Sequence, residues 1–414
     1  MRSIRHLLSC SAACGLAVLM TAAATPAAQG AEKTLYSFKG GSDGLNPRGA
    51  LIAGAGGNFY GVTRGGGGGT GCTNGNDGCG TVFKLAPDHT ETVLYAFQGG
   101  SDGAYPGDGL TADATGDFFG TTSQGGTNNG GTIFELSAGG TKTVLYAFQG
   151  GTDGVEPTGQ LLLDGSGNLY GVTEFGGSDT SCDSEGCGTV FKIASDHTES
   201  VLYAFQGGTD GAEPLGNLTM DANGNLYGTT AVGGDTSCAN GSIGCGTVFK
   251  LAPDGTETVL HAFKSRSDGN EPLAGLIADG SGNLYGTTQA GGNSHRGIGR
   301  GTIFKITPGG TETVLYAFRG AKDGAVPYGG VIFDSAGNIY GTTFGGGGGV
   351  DCTGSGCGTV YKLAPDGKET VLCAFHRQRG RPTASLLMGN QGRLYGTAEL
   401  GGKSRDGAVF EVKK

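Results

Sequence analysis

The stretch VLYAFQGGTDG occupies residues 144–154 and recurs letter for letter at 201–211, with VLYAFQGGSDG at 93–103. Repetition of this kind marks a repeat architecture, so the period is read before any local element. Variants of ETVLYAF begin at Glu32, Glu91, Lys142, Glu199, Glu257, Glu312 and Glu369, spaced 51 to 59 residues apart. Two further runs keep step with it. NLYGTT-like segments begin at Asn58, Asp117, Asn168, Asn225, Asn283, Asn338 and Arg393, and GTVFKL-like segments at Gly80, Gly131, Gly188, Gly246, Gly301, Gly358 and Gly407. A weaker fourth run follows each proline, as in PTGQLLLD from Pro157 and PYGGVIFD from Pro327.

Each unit therefore carries four short segments rich in Val, Ile, Leu, Tyr and Phe, bounded by Gly, Asp, Asn or Pro. No segment sustains a helical period. Four strands repeated seven times, at the usual size of a propeller blade, predict an all-β fold: a seven-bladed β-propeller with four antiparallel strands per blade. The post-proline run becomes inner strand A, NLYGTT strand B, GTVFKL strand C and ETVLYAF outer strand D. In this phase the chain enters with a strand D at 33–38 and ends just after a strand C. The N-terminal strand is thus expected to complete the last blade and remove an exposed seam.

Of 414 residues, 89 are glycine and 12 proline, which suits many tight turns and one repeat domain over 31–414. Residues 1–30 read as a secretory signal: Arg2 and Arg5, then an apolar run, then small residues, with cleavage after Ala24 or Gly30. No later apolar run is long enough to span a bilayer. Beyond the leader, 25 basic residues face 37 acidic ones, a balance that favours a soluble chain and disfavours nucleic acid as a partner. A secreted or periplasmic monomer is expected.

These motifs, in fixed order from residue 32 to 412, resemble those of the GloVer tandem-repeat proteins of bacterial envelopes. The resemblance implies an exported, propeller-like protein and brings no general activity with it.

Antiparallel blades send every D-to-A and B-to-C loop to one face. Cys72/Cys79, Cys182/Cys187, Cys238/Cys245 and Cys352/Cys357 all lie in B-to-C loops, and the remaining such loops lack both members. Paired presence and absence predicts four local disulfides. Zinc shared between blades 3 and 4 is the rival reading, but those loops lack histidine. Cys373 stands where strand D usually has Tyr and is expected to be a buried, unpaired residue.

Asp43, Asp102, Asp153, Asp210, Asp268 and Asp323 sit before glycine in the D-to-A loops. An Asp there accepts backbone N–H bonds and holds a sharp turn; the alternative is a ring of carboxylates that attracts cations. Near-identical copies favour the turn, because a site on a ring draws different residues from different blades.

Loop lengths vary most between strands B and C, which places function on that face. The loop HRQRGRP has lost the Asp-Gly pair and supplies His376, Arg377, Arg379 and Arg381. Arg48, Arg64, Lys403 and Arg405 fall nearby in the ring. Such a basic sector suits a carboxylate, sulfate or phosphate group, with solvated arginines as the plain alternative. No nucleophile elbow, zinc-hydrolase motif or distinctive carboxylate pair is present, so no catalytic residue, metal or cofactor is assigned. The expected role is a binding or scaffold module whose partner is a saccharide, an anionic polymer or an envelope protein. A polysaccharide hydrolase or lyase and a purely structural envelope protein are the alternatives.

Overall fold

The computed structural model describes residues 32–72, 77–177, 182, 185–235, 238, 244–292, 299–320, 322–348, 356–376 and 380–414. The expected signal segment, Cys352, Arg377 and Arg379 lie outside the described residues. Seven antiparallel sheets follow one another around a ring, as the repeat predicts. Blade 3 shows the pattern: strand A Val155–Leu163, B Leu169–Phe175, C Thr189–Ile193 and D Glu199–Ala204. In blade 7, strands A (Leu387–Met388), B (Arg393–Ala398) and C (Ala408–Lys413) are completed by Lys33–Ser37 as strand D. The ring closes with the N-terminal strand, as the repeat phase requires.

The apolar run VLY in strand D does not alternate as a half-buried strand should. The pairing explains it: Val190 faces Tyr203 and Phe191 faces Val201, so Leu202 is a bulge residue. The same shift recurs against strand C in the other blades. A bulge increases the local twist of the outer strand.

Blades are joined by aromatic rings. The last residue of YAF in one blade meets the Phe or Tyr of the next blade's strand C edge-on at all seven interfaces, from Phe97–Phe134 at 5.1 Å to Phe318–Tyr361 at 5.2 Å. The closing junction repeats it, with Phe38 on Phe83 at 5.1 Å. Edge-to-face pairs add to the gain from burying the rings themselves.

In six blades the last Thr of strand B shares a hydrogen bond with the first Thr of strand C beneath the D-to-A loop, as in Thr173–Thr189 at 2.8 Å. Gly154 closes over this pair with φ +108°, and a Cβ there would lie 2.5 Å from Thr173 Oγ1. Blade 7 carries Ala398 and Ala408 at the two Thr positions, and its entry loop lacks Asp-Gly. Losing both hydroxyls together leaves no orphaned polar group, so the altered blade still packs. Cys373 is buried and free, and burial followed by nearby Glu32 pushes its thiol up to about 12, where it is unreactive. Among the described residues, no helix is long and apolar enough to cross a membrane.

Candidate functional site

Every inner strand is entered through a residue followed by proline: Asn46, Tyr105, Glu156, Glu213, Glu271, Val326 and Arg381. All seven have φ between +54° and +63°, a region that residues with a Cβ rarely adopt. The preceding blade holds them there. Each N–H donates to the carbonyl just before that blade's strand-C glycine, for example Tyr105 to Cys79 at 2.8 Å, Glu213 to Cys187 at 3.0 Å and Asn46 to Asp406 at 2.7 Å. The fold fixes the backbone at this position and leaves the side chain free to differ.

A second variable ring lies beside it. The residues ending the strand-B motif are Arg64, Ser123, Glu174, Ala231, Gln289, Phe344 and Glu399. Several donate an N–H to the pre-proline carbonyl of their own blade, as Arg64 does to Asn46 at 3.0 Å and Phe344 to Val326 at 2.9 Å. Members of both rings, among them Glu156 and Arg381 of the first and Arg64, Glu174 and Phe344 of the second, join residues after each proline in lining an axial cavity of about 630 Å³ to which every blade contributes. Inner strands approach closely beside it: a Cβ on Gly216 would lie 2.5 Å from the backbone of Ala274.

Charge is distributed unevenly around the cavity. Blade 1 gives Arg48 and Arg64, blade 7 gives Arg381 and Glu399, and blade 6 gives Tyr328 and Phe344. Arg48 pairs with Glu399 at 2.9 Å, Arg64 lies over the Tyr105 ring and Arg381 over the Phe344 ring. Burial and then the neighbouring Arg48 shift Arg64 below its ordinary value. Blades 2 and 3 present Asp108, Glu156 and Glu174 to the cavity, and the next two blades carry Glu213 and Glu271 at their pre-proline positions. Burial, then Glu156, Glu213 and Asp108, raise the Glu174 carboxyl to about 7. Burial and then Glu185 raise Glu156.

The expected basic sector divides. Arg48, Arg64 and Arg381 line the cavity, whereas His376, Lys403 and Arg405 are exposed and do not line it. The carboxylates Asp108, Glu156 and Glu174 carry no motif; their signal was variation at fixed columns of the repeat.

The six repeated aspartates stand apart from the cavity lining. Asp153 accepts from the Tyr146 hydroxyl at 2.8 Å and the Gln149 N–H at 2.5 Å, and Asp210 accepts likewise from Tyr203 and Gln206, both at 2.7 Å. Asp43, Asp102 and Asp323 repeat the Tyr and backbone contacts, and His261 replaces the Tyr at Asp268. Among the described residues, no group of three or more His, Cys, Asp or Glu side chains is placed to hold a metal ion. Asp153→Ala should cost ~1–3 kcal/mol, because it strands a partly buried hydroxyl and a backbone donor. A thermal melt with and without calcium checks it; an unchanged melt together with loss of a calcium-induced shift would mean that the aspartate binds cations.

Disulfides join Cys72–Cys79, Cys182–Cys187 and Cys238–Cys245, and Cys357 is also disulfide-bonded. The carbonyl of each second cysteine receives the pre-proline N–H of the next blade. The bridges thus brace the residues that hold the backbone of Tyr105, Glu213, Glu271 and Arg381, the last of which lines the cavity.

A second cavity, of about 670 Å³, opens between blades 7 and 1 around Tyr395 and Phe59. Its positions correspond to those of a smaller groove of about 220 Å³ between blades 4 and 5, around Tyr227 and Leu284. A groove recurring at blade junctions belongs to the repeat, whereas the axial cavity differs from blade to blade.

The sequence pattern of the Gloeobacter/Verrucomicrobia repeat matches residues 68–298 and 235–414. The chain belongs to this repeat family. Curated proteins provide no match to this family member. Among solved structures, it is similar to virginiamycin B lyase from Staphylococcus aureus, at 13% identity over 91% of this chain and 98% of that one, with a TM-score of 0.58. A catalytically inactive variant of that lyase with quinupristin matches at 14% identity over 93% and 99% of the two chains, TM-score 0.57. The extracellular domain of a hybrid two-component system from B. thetaiotaomicron matches at 10% identity, TM-score 0.58, over 92% of this chain and 39% of that one. At these identities the likeness is one of fold. The repeat-family protein shares the propeller, and its own cavity residues have to carry any reading of function.

Proposed function

We propose that this chain is an exported binding module whose ligand is a small polar molecule, or the end of an envelope polymer, bearing an anionic group. One observation carries the reading: different residues occupy the same two columns of an otherwise uniform repeat, and members of both columns line one axial cavity. A purely structural ring gives no reason for that variation. A volume of about 630 Å³ suits a small ligand. Arg48, Arg64 and Arg381 offer planar donors to a carboxylate, sulfate or phosphate. The disulfides and the repeat family are consistent with an oxidising, extracytoplasmic setting.

Glu174 favours a second reading, proton transfer to or from the bound molecule. A carboxyl raised to about 7 is suited to both taking and giving a proton near neutrality. The fold shared with a lyase adds only that propellers can house such chemistry.

Thermal shift against uronates, sugar phosphates and neutral sugars tests binding. A saturable rise with an anionic probe is expected, equivalent to ~2.7 kcal/mol at a hundredfold excess over Kd. Arg381→Gln should weaken it roughly tenfold. No shift with any anionic probe would overturn the reading, and turnover of a bound probe that is lost in Glu174→Gln would establish the catalytic one.

A further inference from the structure

The arginines account for only one side of the axial cavity. Blades succeed one another around the ring, so blade number gives angular position. Asp108, Glu156 and Glu174 enter the cavity from blades 2 and 3. Blade 6 contributes Tyr328 and Phe344, whose rings meet edge-on at 5.2 Å. Blades 7 and 1 contribute Arg381, Arg48 and Arg64. An acidic arc, an aromatic wall and a basic arc therefore follow in order around one cavity.

Neither arc is neutralised within itself. In the basic arc, Glu399 pairs with Arg48, while Arg64 and Arg381 lie over aromatic rings. In the acidic arc, Asp108 receives the Gly159 N–H at 3.1 Å, a donor without charge. Partly buried like charges disfavour one another's ionised forms, and a ligand of opposite charge relieves the cost. A purely anionic ligand would relieve the arginines and leave the carboxylates as they are, or repel them.

We infer that the axial cavity takes a zwitterionic ligand, with its ammonium group against the carboxylates of blades 2 and 3, its carboxylate against Arg48, Arg64 and Arg381, and an apolar side chain on the aromatic wall of blade 6. An α-amino acid or a short peptide with free termini has this chemistry. The inference rests on the binding reading above and narrows its ligand class.

Calorimetry on the oxidised protein with alanyl-leucine, its N-acetyl derivative, its C-terminal amide and galacturonate separates the two. The free dipeptide should bind roughly tenfold or more tightly than either blocked form, since each block removes one charge-assisted contact. Glu174→Gln should narrow the gap between free and N-acetylated peptide, and Arg381→Gln the gap between free and amidated peptide. Equal binding of free and N-acetylated peptide would leave the anion site standing and overturn the zwitterion, as would binding of galacturonate alone. If none of the four binds, both readings fall.

Discussion

A chain that begins at Gly40 instead of Glu32 is expected to lose its cooperative melt, or to keep one only at much lower temperature, and to self-associate. Strand Lys33–Ser37 covers the edge of strand Ala408–Lys413 in blade 7. Leu35 and Phe38 from this segment are buried with Leu51, Phe83, Leu85 and Val409, so the segment joins blade 7 to blade 1. Removing a buried Phe and a buried Leu costs roughly 5–10 kcal/mol together, comparable with the whole stability of a typical domain. The uncovered strand would also present a row of unpaired backbone groups to other chains. Scanning calorimetry with light scattering checks both effects, and a peptide of residues 32–38 added in trans should restore the monomeric melt by adding the missing strand. Phe38→Ala is the milder version, at ~3–5 kcal/mol, and leaves the edge covered. A shortened protein that melts normally as a monomer would show that closure contributes little.

Closure was legible in the sequence because it depends on phase alone: a strand D at the start and a strand C at the end. The strands were legible for a related reason, since seven copies average out the ambiguity of any single VLY or GTVF run. The bulge at Leu202 was not, because an extra residue in one strand shows only against its partner. The site was half legible. Arg48, Arg64 and Arg381 stood out as basic residues in an acidic chain, but charge alone could not separate them from exposed Lys403 and Arg405. Glu156, Glu174 and Glu213 carried no motif. Their position became informative only once the backbone set the residue before each proline, Glu156 and Glu213 among them, in a left-handed conformation that propensity does not favour, and brought Glu156 and the strand-B-end Glu174 to one cavity.

The same blade junctions set the response to pH. The first residue of strand D is Glu in most blades, and five of these, Glu91, Glu199, Glu257, Glu312 and Glu369, bury one carboxyl oxygen with no hydrogen-bond partner among the described residues. Burial raises each carboxyl, and in Glu91, Glu199, Glu257 and Glu369 the next cause is the repeated aspartate of the entry loop: Asp43, Asp153, Asp210 and Asp323. Glu91 reaches about 8 and the other three about 7, against an ordinary value of 4.5. Glu312 is raised as well, with His261 opposing the shift. At the junction of blades 1 and 2, Lys142 takes the Glu position and pairs with Asp102 at 2.9 Å. A group whose folded value lies above its unfolded one binds more protons in the folded state across that interval. Its contribution is complete below about 4.5 and is lost as pH rises through 7 to 8. At the acid end the sign reverses: hydrogen bonds from Asn283 and its backbone N–H, working against burial, hold Asp279 down at about 2, so that contribution is lost as pH falls toward 2. The melting temperature should therefore peak near pH 4 to 5 and fall by several degrees by pH 8. Replacing Glu91, Glu199, Glu257 and Glu369 by Gln should flatten the alkaline limb and raise the melt at pH 8, with Glu174→Gln alone as the control for the axial carboxyl. A melting temperature that stays level from pH 5 to 8, or a quadruple variant with the wild-type slope, would sink this account of the junctions.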